Sequence, residues 1–361
     1  MNSRVNVNVI LTQNLFNLHL MYKAGILFSL ACTVVIAMTC AGEKPDIPQQ
    51  NLSVSFYNID NLYDTVDDTG HFDNDFTPKG KYQWTTMRYK AKLKNMAKVI
   101  STMCNGSQPD ILGVCEIESA IALKDLIKTA PLKASYRYVH YDSPDERGVD
   151  VALVYNSDKL TVIKSEKIAV SLTKDKNDRT RDQLCVSLLA KGAKDTLHVY
   201  VCHFPSRKEG KNESEQNRID AARTCINYLN SHFNTSKDKI IIMGDFNDEP
   251  WDKSIARVIG AKNIYKNDSA DLLNLMYSFK QEGRGSYKFR GNMNMLDQLI
   301  ISNALHKGNK LTYIAGTANI FDADWLTQKG KYAGYPLRTF GGNQWLNGYS
   351  DHYPVSLYLK W

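Results

Sequence analysis

The chain has 361 residues, 43% hydrophobic and 23% charged, with 21 Gly, 10 Pro and 7 Cys. That composition excludes a disordered tail, a collagen-like repeat, a coiled coil and a disulfide-stapled miniature, and the length leaves room for one core or two. The formal charge of +7 is small and scattered, so it permits a phosphate-bearing partner without arguing for one.

Residues 1–39 contain no Asp or Glu, and only Arg4 and Lys23 are charged; without them the remainder carries +5. Residues 24–39 read AGILFSLACTVVIAMT, and polar sequence follows at once. A positive residue, a short apolar run and then small residues describe a secretory signal. The run is shorter than the roughly 20 apolar residues that a spanning helix needs. Met21 is a second candidate start, because a leader beginning MYK has conventional proportions. The ending AMTC at Cys40 resembles a bacterial lipobox, with Ala37 in place of the usual Leu and Thr39 in place of Gly or Ala. Cleavage after Ala41 by the ordinary signal peptidase is the competing expectation. The chain is therefore expected to be exported, either as a cell-envelope lipoprotein anchored through a lipidated Cys40 or as a secreted form. Residues 1–39 are read as extension and signal, 40–51 as a linker and 52–361 as the folded domain.

From there, strand-like runs alternate with helical patterns. VSFYNI (54–59) is the first strand, and residues 85–103 place Leu93, Met96, Ile100 and Met103 on one helical face with Lys90, Lys94 and Lys98 elsewhere. DILGVCEI (110–117), VDVALVY (149–155), QLCVSLLA (183–190) and TLHVYVCHF (196–204) are rich in β-branched and aromatic residues. A second helix covers 214–229, with Ser214 as candidate N-cap. KIIIMGDF (239–246), MLDQLIIS (295–302) and residues 354–359 complete the strands. Two packed sheets flanked by helices fit this mixture better than a doubly wound parallel sheet. Cys104, Cys115, Cys185, Cys202 and Cys225 show no C-x-x-C pair and are expected as small core residues. Their odd number in an exported chain gives no disulfide framework.

Apolar strands repeatedly end in a carboxylate, amide or imidazole. Residues 240–243 run into Gly-Asp-Phe-Asn-Asp. Gly244 is expected to permit a tight turn, and Asp245 and Asn247 then face the same way if strand geometry continues. Glu116 ends the 111–114 run, Asn58 lies in the first strand, and His203 shares the parity of Leu197, Val199 and Val201. Asp297 is set between apolar residues, and Asp351-His352 precedes the last strand. Each alone reads as a turn, structural or solvated residue. Together they would supply hard oxygen ligands for Mg²⁺ rather than zinc, with Mn²⁺ an alternative, and two imidazoles and a spare acid to handle water and a leaving group.

The ordered set resembles the endonuclease/exonuclease/phosphatase superfamily. The matching stretches are SFYNIDNLYD (55–64), PDILGVCEIE (109–118), RGVDVALVY (147–155), TRDQL (180–184), VCHFPSR (201–207), GDFNDEP (244–250), GSYKFRGNMNMLDQL (285–299) and GYSDHYPV (348–355). The resemblance implies a four-layered α/β sandwich, two mixed sheets packed face to face with helices outside and the site at one end. It implies Glu116 as principal Mg²⁺ carboxylate with Asn58 beside it and Asp351 near the metal. It makes Asp245 the residue that orients or deprotonates water and Asn247 a phosphate partner. His352 would contact the scissile phosphate, paired with Asp297. His203 would be a further site imidazole and Arg181 a phosphate contact. Expected chemistry is metal-dependent hydrolysis of a P–O bond by water, on extracellular nucleic acid or else on a lipid, sugar or inositol phosphate. An inactive surface-binding protein is a third alternative. No protein partner is implied, and a monomer is expected.

Two segments stay open. Asp67, Asp68, Asp73 and Asp75 make 64–81 acidic, either a solvated loop or a second cation site. Residues 321–349 are rich in aromatics and Gly, and would border the site mouth or pack on themselves.

Overall fold

The first half of the chain forms β1 (Asn51–Leu62), α1 (Thr86–Ile100), β2 (Ile111–Ile117), α2 (Ala120–Lys128), β3 (Tyr136–His140) and β4 (Asp150–Asn156). Next come β5 (Leu160–Ile168), β6 (Gln183–Ala190), β7 (Asp195–His203), α3 (Glu215–His232), β8 (Ile240–Asp245), β9 (Lys262–Asn263) and β10 (Leu272–Asn274). A hairpin of β11 (Tyr287–Phe289) and β12 (Asn292–Asn294) precedes β13 (Asp297–Ser302). Short β14 (Thr312–Tyr313) and β15 (Asn319–Ile320), a second hairpin of β16 (Phe340–Gly341) and β17 (Gln344–Trp345), and β18 (Val355–Lys360) end the chain. These elements belong to a computed structural model that describes residues 45–174, 178–267 and 269–361, so the leader and Cys40 lie outside the described residues. Among the described residues, no helix is long and apolar enough to cross a membrane.

Two seven-stranded sheets result. One is ordered β14–β18–β1–β2–β4–β3, with β15 also on β18, and the other β5–β6–β7–β8–β13–β10–β9. Near its centre each carries a parallel pair, β1 with β2 and β7 with β8. Phe56, Leu197, Val199, Val201, Ile241, Met243, Leu299 and Ile301 fill the apolar layer between the sheets. A Cβ on Gly113 would lie 2.5 Å from the Met243 sulfur, so glycine lets the sheets close here. The opposite face of the second sheet packs Tyr200, Cys202, Ile240 and Ile242 against Ala221, Ala222, Cys225 and Leu229 of α3. α1 and α2 cover the first sheet's outer face, which completes the four-layered sandwich. All five described cysteines are buried and free.

The expected strands and the two long helices are present, with ends shifted by a few residues. Thr85, rather than a residue of the helix, caps α1 by accepting the Arg88 N–H. Ser214 does not cap α3: its hydroxyl donates to the Gly210 carbonyl (2.6 Å) and accepts from Arg218 (2.6 Å). Gly244 makes no turn either. It lies inside β8, where a Cβ would come 2.3 Å from the Cys202 carbonyl oxygen, so close approach of neighbouring strands is what requires it.

Candidate active site

The second sheet supplies a row of three. His203, Asp245 and Asp297 are register partners across β7, β8 and β13. Each continues an inward apolar row of its strand, so strand parity carries them from the core into the crevice at the sheets' end. The first sheet answers with Asn58, whose Nδ2 donates to Asp245 Oδ2 at 3.1 Å.

Glu116 reaches the site against parity. Gly113 and Cys115 share the inner face of β2, so simple alternation would send Glu116 outward. The β2–β4 register shifts between Cys115 and Ile117, and Glu116 has φ +63°. This bulge turns the carboxylate inward, to 3.8 Å between Oε1 and His203 Nε2. Its Oε2 accepts the Asn61 N–H at 3.0 Å.

His352 enters from the residues preceding β18. Ser350 fixes the approach, its hydroxyl donating to the Asn58 carbonyl (2.6 Å) and accepting the His352 N–H (3.0 Å). His352 Nδ1 lies 2.6 Å from Asp297 Oδ2, which leaves Nε2 facing Asp245 Oδ2 at 3.8 Å and Asp351 Oδ1 at 3.9 Å. The Tyr287 ring covers one side of the imidazole, 4.8 Å between centroids.

Charge divides the two imidazoles. Burial works against the charged form of His352, but Asp297 and Asp245 outweigh it and hold the imidazole well above its ordinary value. Burial, then Arg181 and Arg147, push His203 well below, so it is neutral. Burial raises the Asp245 carboxyl, with His352 opposing and Asp297 adding to the rise. Asp351 is pushed up to about 6 by burial and by Asp60, against the pull of Arg338.

Two predicted positions behave differently from expectation. Strand geometry ends at Asp245, and Asn247 is left-handed at φ +49°. Its backbone N–H bonds Asp245 Oδ1 (3.0 Å) and its amide donates to the Phe204 carbonyl (3.1 Å), so it wraps the end of β8 instead of pointing beside Asp245. Arg181 is buried, with Nη1 on Asp145 Oδ2 (3.0 Å) and Nη2 on the same Phe204 carbonyl (2.7 Å). Its guanidinium braces the chain after His203, leaving Nε without a partner.

Sequence reasoning missed Asp60, Lys92 and the site role of Arg338. Arg338 spans Asp351 (3.0 Å) and Asp60 (3.7 Å). Lys92, fully buried, donates to the Asp60 carbonyl (3.1 Å), Thr339 Oγ1 (2.6 Å) and the Tyr349 carbonyl (2.6 Å), satisfying all three ammonium hydrogens. Burial brings it down to about 8. A signal existed: position 92 is four residues before Met96, so a lysine stands on the apolar face of α1.

The oxygens of Glu116, Asp351 and Asn58 are hard donors of the kind that divalent cations take. Burial first and then Asp60 raise the Asp351 carboxyl, and a bound cation would relieve both. The donors thus fit a divalent ion. The ligand atoms of Asp245, Asp297 and His352 lie within 4.8 Å of one another, but Asp297 is already hydrogen-bonded to His352 Nδ1, and His352 Nε2 stands 3.8 Å from Asp245.

Residues 53–361 match the model of the Endonuclease/Exonuclease/phosphatase family, and the chain belongs to that family. It is accordingly a metal-dependent hydrolase of phosphate ester bonds. D. rerio TDP2, solved with a single-strand DNA product, is 15% identical with a TM-score of 0.54, over 86% of this chain and 98% of its own. A mannosyl-6-phosphatase from Bacteroides thetaiotaomicron is 16% identical with a TM-score of 0.53, over 86% and 100%. Another family protein from that organism is 17% identical with a TM-score of 0.52, over 86% and 97%. These likenesses establish the fold. No curated protein sequence matches the chain.

Proposed function

We propose that the chain is an exported Mg²⁺-dependent phosphodiesterase that cleaves extracellular nucleic acid by in-line attack of water. The observation that carries the reaction is the His203–Asp245–Asp297 row closed by His352, with acceptor and donor atoms turned toward one point. Asp245 Oδ2, held by Asn58, accepts from the attacking water and aligns it with the P–O bond. His352, kept protonated by Asp297, presents Nε2–H to a phosphoryl oxygen as charge gathers there. Neutral His203 adds a hydrogen bond without adding charge. Asn247 has a second amide hydrogen free for the phosphate, its first being spent on Phe204. Mn²⁺ is a possible substitute; Mg²⁺ bound by Glu116, Asn58 and Asp351 would supply stabilisation of charge on the phosphoryl oxygens.

A lip beside the site favours a nucleic-acid strand. Tyr287 stacks toward Phe289 (centroids 6.5 Å apart), and Phe289 is half-exposed with Arg290 over its ring at 5.2 Å. Lys288 sits over Tyr335 at 4.9 Å, and Tyr332 next to it is half-exposed. Rings interleaved with cations bind bases and phosphates together.

The test is a substrate panel of single-stranded DNA, RNA, plasmid, bis-p-nitrophenyl phosphate, p-nitrophenyl phosphate and mannose 6-phosphate, in Mg²⁺ or EDTA. Strand cleavage that weakens as salt rises supports the proposal. Turnover of monoesters alone overturns it in favour of a phosphatase. Export and lipidation rest on residues 24–41. A Cys40→Ala variant that still fractionates with membranes would argue against the anchor.

A further inference from the structure

A second acidic centre lies away from the reacting atoms. Asp68, Asp73 and Glu118 bring one carboxylate oxygen each within 4.8 Å of the others. All three line a cavity of about 390 Å³ whose wall also includes Asp142, Asp150 and Arg147. Asp73 and Glu118 are 2% and 8% exposed. One oxygen of each is used locally: Asp73 Oδ2 accepts the Asp68 N–H (2.9 Å), and Glu118 Oε2 accepts the Asp64 N–H (2.6 Å). The remaining oxygens, Asp73 Oδ1 and Glu118 Oε1, are buried with no hydrogen-bond partner. Nearby cations are engaged elsewhere, since Arg147 lies 3.6 Å from Asp145 and His140 pairs with Asp150 at 2.9 Å. Two buried carboxylates with open oxygens beside a third acid are costly as anions unless a proton or a cation neutralises them, and a cation can serve all three at once.

We propose that Asp68, Asp73 and Glu118 form a calcium site separate from the catalytic centre. Its donors are all oxygen, which excludes soft metals. They come from an irregular loop, and Ca²⁺ tolerates irregular shells of six to eight oxygens, whereas Mg²⁺ demands a near-ideal octahedron. The ion would pin residues 64–81 to the end of β2. That segment carries Phe76, stacked on Tyr63 at 4.3 Å and 4.7 Å from Tyr82, in the aromatic cluster that includes Phe340. Thr339, next to Phe340, donates its N–H to Asp60 at the active site (3.2 Å). Calcium would thus stiffen the support of the catalytic mouth without touching substrate.

The test is thermal unfolding of the full chain in EDTA, in Ca²⁺ and in Mg²⁺, with calorimetric titration of Ca²⁺. Calcium at about a hundredfold excess over Kd should raise Tm by roughly 5 °C. Asp73→Asn and Glu118→Gln keep the local backbone acceptors and should weaken Ca²⁺ binding at least tenfold. Asp68 is exposed, so Asp68→Asn folds in any case and should weaken binding too. Glu116→Gln, which alters the catalytic donors, should retain the full shift. An absent shift in the native chain, an equal shift with Mg²⁺ in the Glu116→Gln variant, or a shift that survives all three variants overturns the proposal.

Discussion

The two ends of β2 treat buried acids in opposite ways. Asp110, just before the strand, is closed in. Its Oδ2 accepts from Ser53 N (3.1 Å), Ser53 Oγ (3.3 Å) and Lys159 Nζ (2.8 Å), and its Oδ1 accepts from Asn156 Nδ2 (3.1 Å). Glu116, near the far end, sits on a left-handed backbone with one oxygen pointing at an imidazole 3.8 Å away. Around it, His203 Nδ1 and Asp297 Oδ1 are buried without partners. A network built for stability closes on itself. One built for chemistry leaves atoms open, at a cost in stability that the closed end helps offset.

That contrast can be broken experimentally, most forcefully at the open end. Glu116→Ala and His352→Ala should each lower turnover of bis-p-nitrophenyl phosphate by about a hundredfold or more. Tm should stay near that of the native chain in Glu116→Ala, which removes one of several clustered acids, and should fall in His352→Ala, which leaves buried Asp297 without its cation. Asp110→Ala should do the reverse, losing roughly 2–3 kcal/mol in urea unfolding with kcat retained. An Asp110 variant that folds as stably as the native chain would erase the distinction.

Asp297→Asn sharpens it further. The folded value of His352 is raised, so its stabilising contribution is complete below its unfolded value of about 6.5 and is lost as pH rises through the folded value. In EDTA, the native Tm should therefore fall above pH about 6.5. Asp297→Asn should flatten that fall and lower turnover roughly tenfold or more. The smallest effect is expected at the lip, where Phe289→Ala should raise KM for single-stranded DNA about fivefold, near 1 kcal/mol, with kcat unchanged.

Most of the site was legible because it follows strand parity. His203, Asp245 and Asp297 end apolar rows whose period of two can be counted. Asn58 obeys the same rule on the facing sheet. Glu116 was found by motif, since the bulge that turns it inward leaves no trace in periodicity. Asn247 departs from strand parity for a related reason: its left-handed backbone ends the alternation that parity assumes. Arg181 was expected as a phosphate contact, and nothing in the local sequence shows that Asp145, 36 residues earlier, folds against it. Lys92 could have been found from its place on an apolar face. β3 and β5 escaped because they are short or half-exposed and carry little apolar pattern, whereas α2 (AIALKDLIK) buries Ala122, Leu123 and Leu126 and was legible but only nine residues long. The stretch 321–349 divides between both expectations, with Phe340 and Trp345 packed against Trp84 while Arg338 reaches Asp351.

The most direct test of the account compares native chain with Asp245→Asn on bis-p-nitrophenyl phosphate, in Mg²⁺ and in EDTA, with Tm recorded for both. The native chain should show Mg²⁺-dependent turnover that EDTA abolishes, and the variant should lose about a hundredfold or more at unchanged or higher Tm. Near-native turnover by a folded Asp245→Asn protein would contradict it.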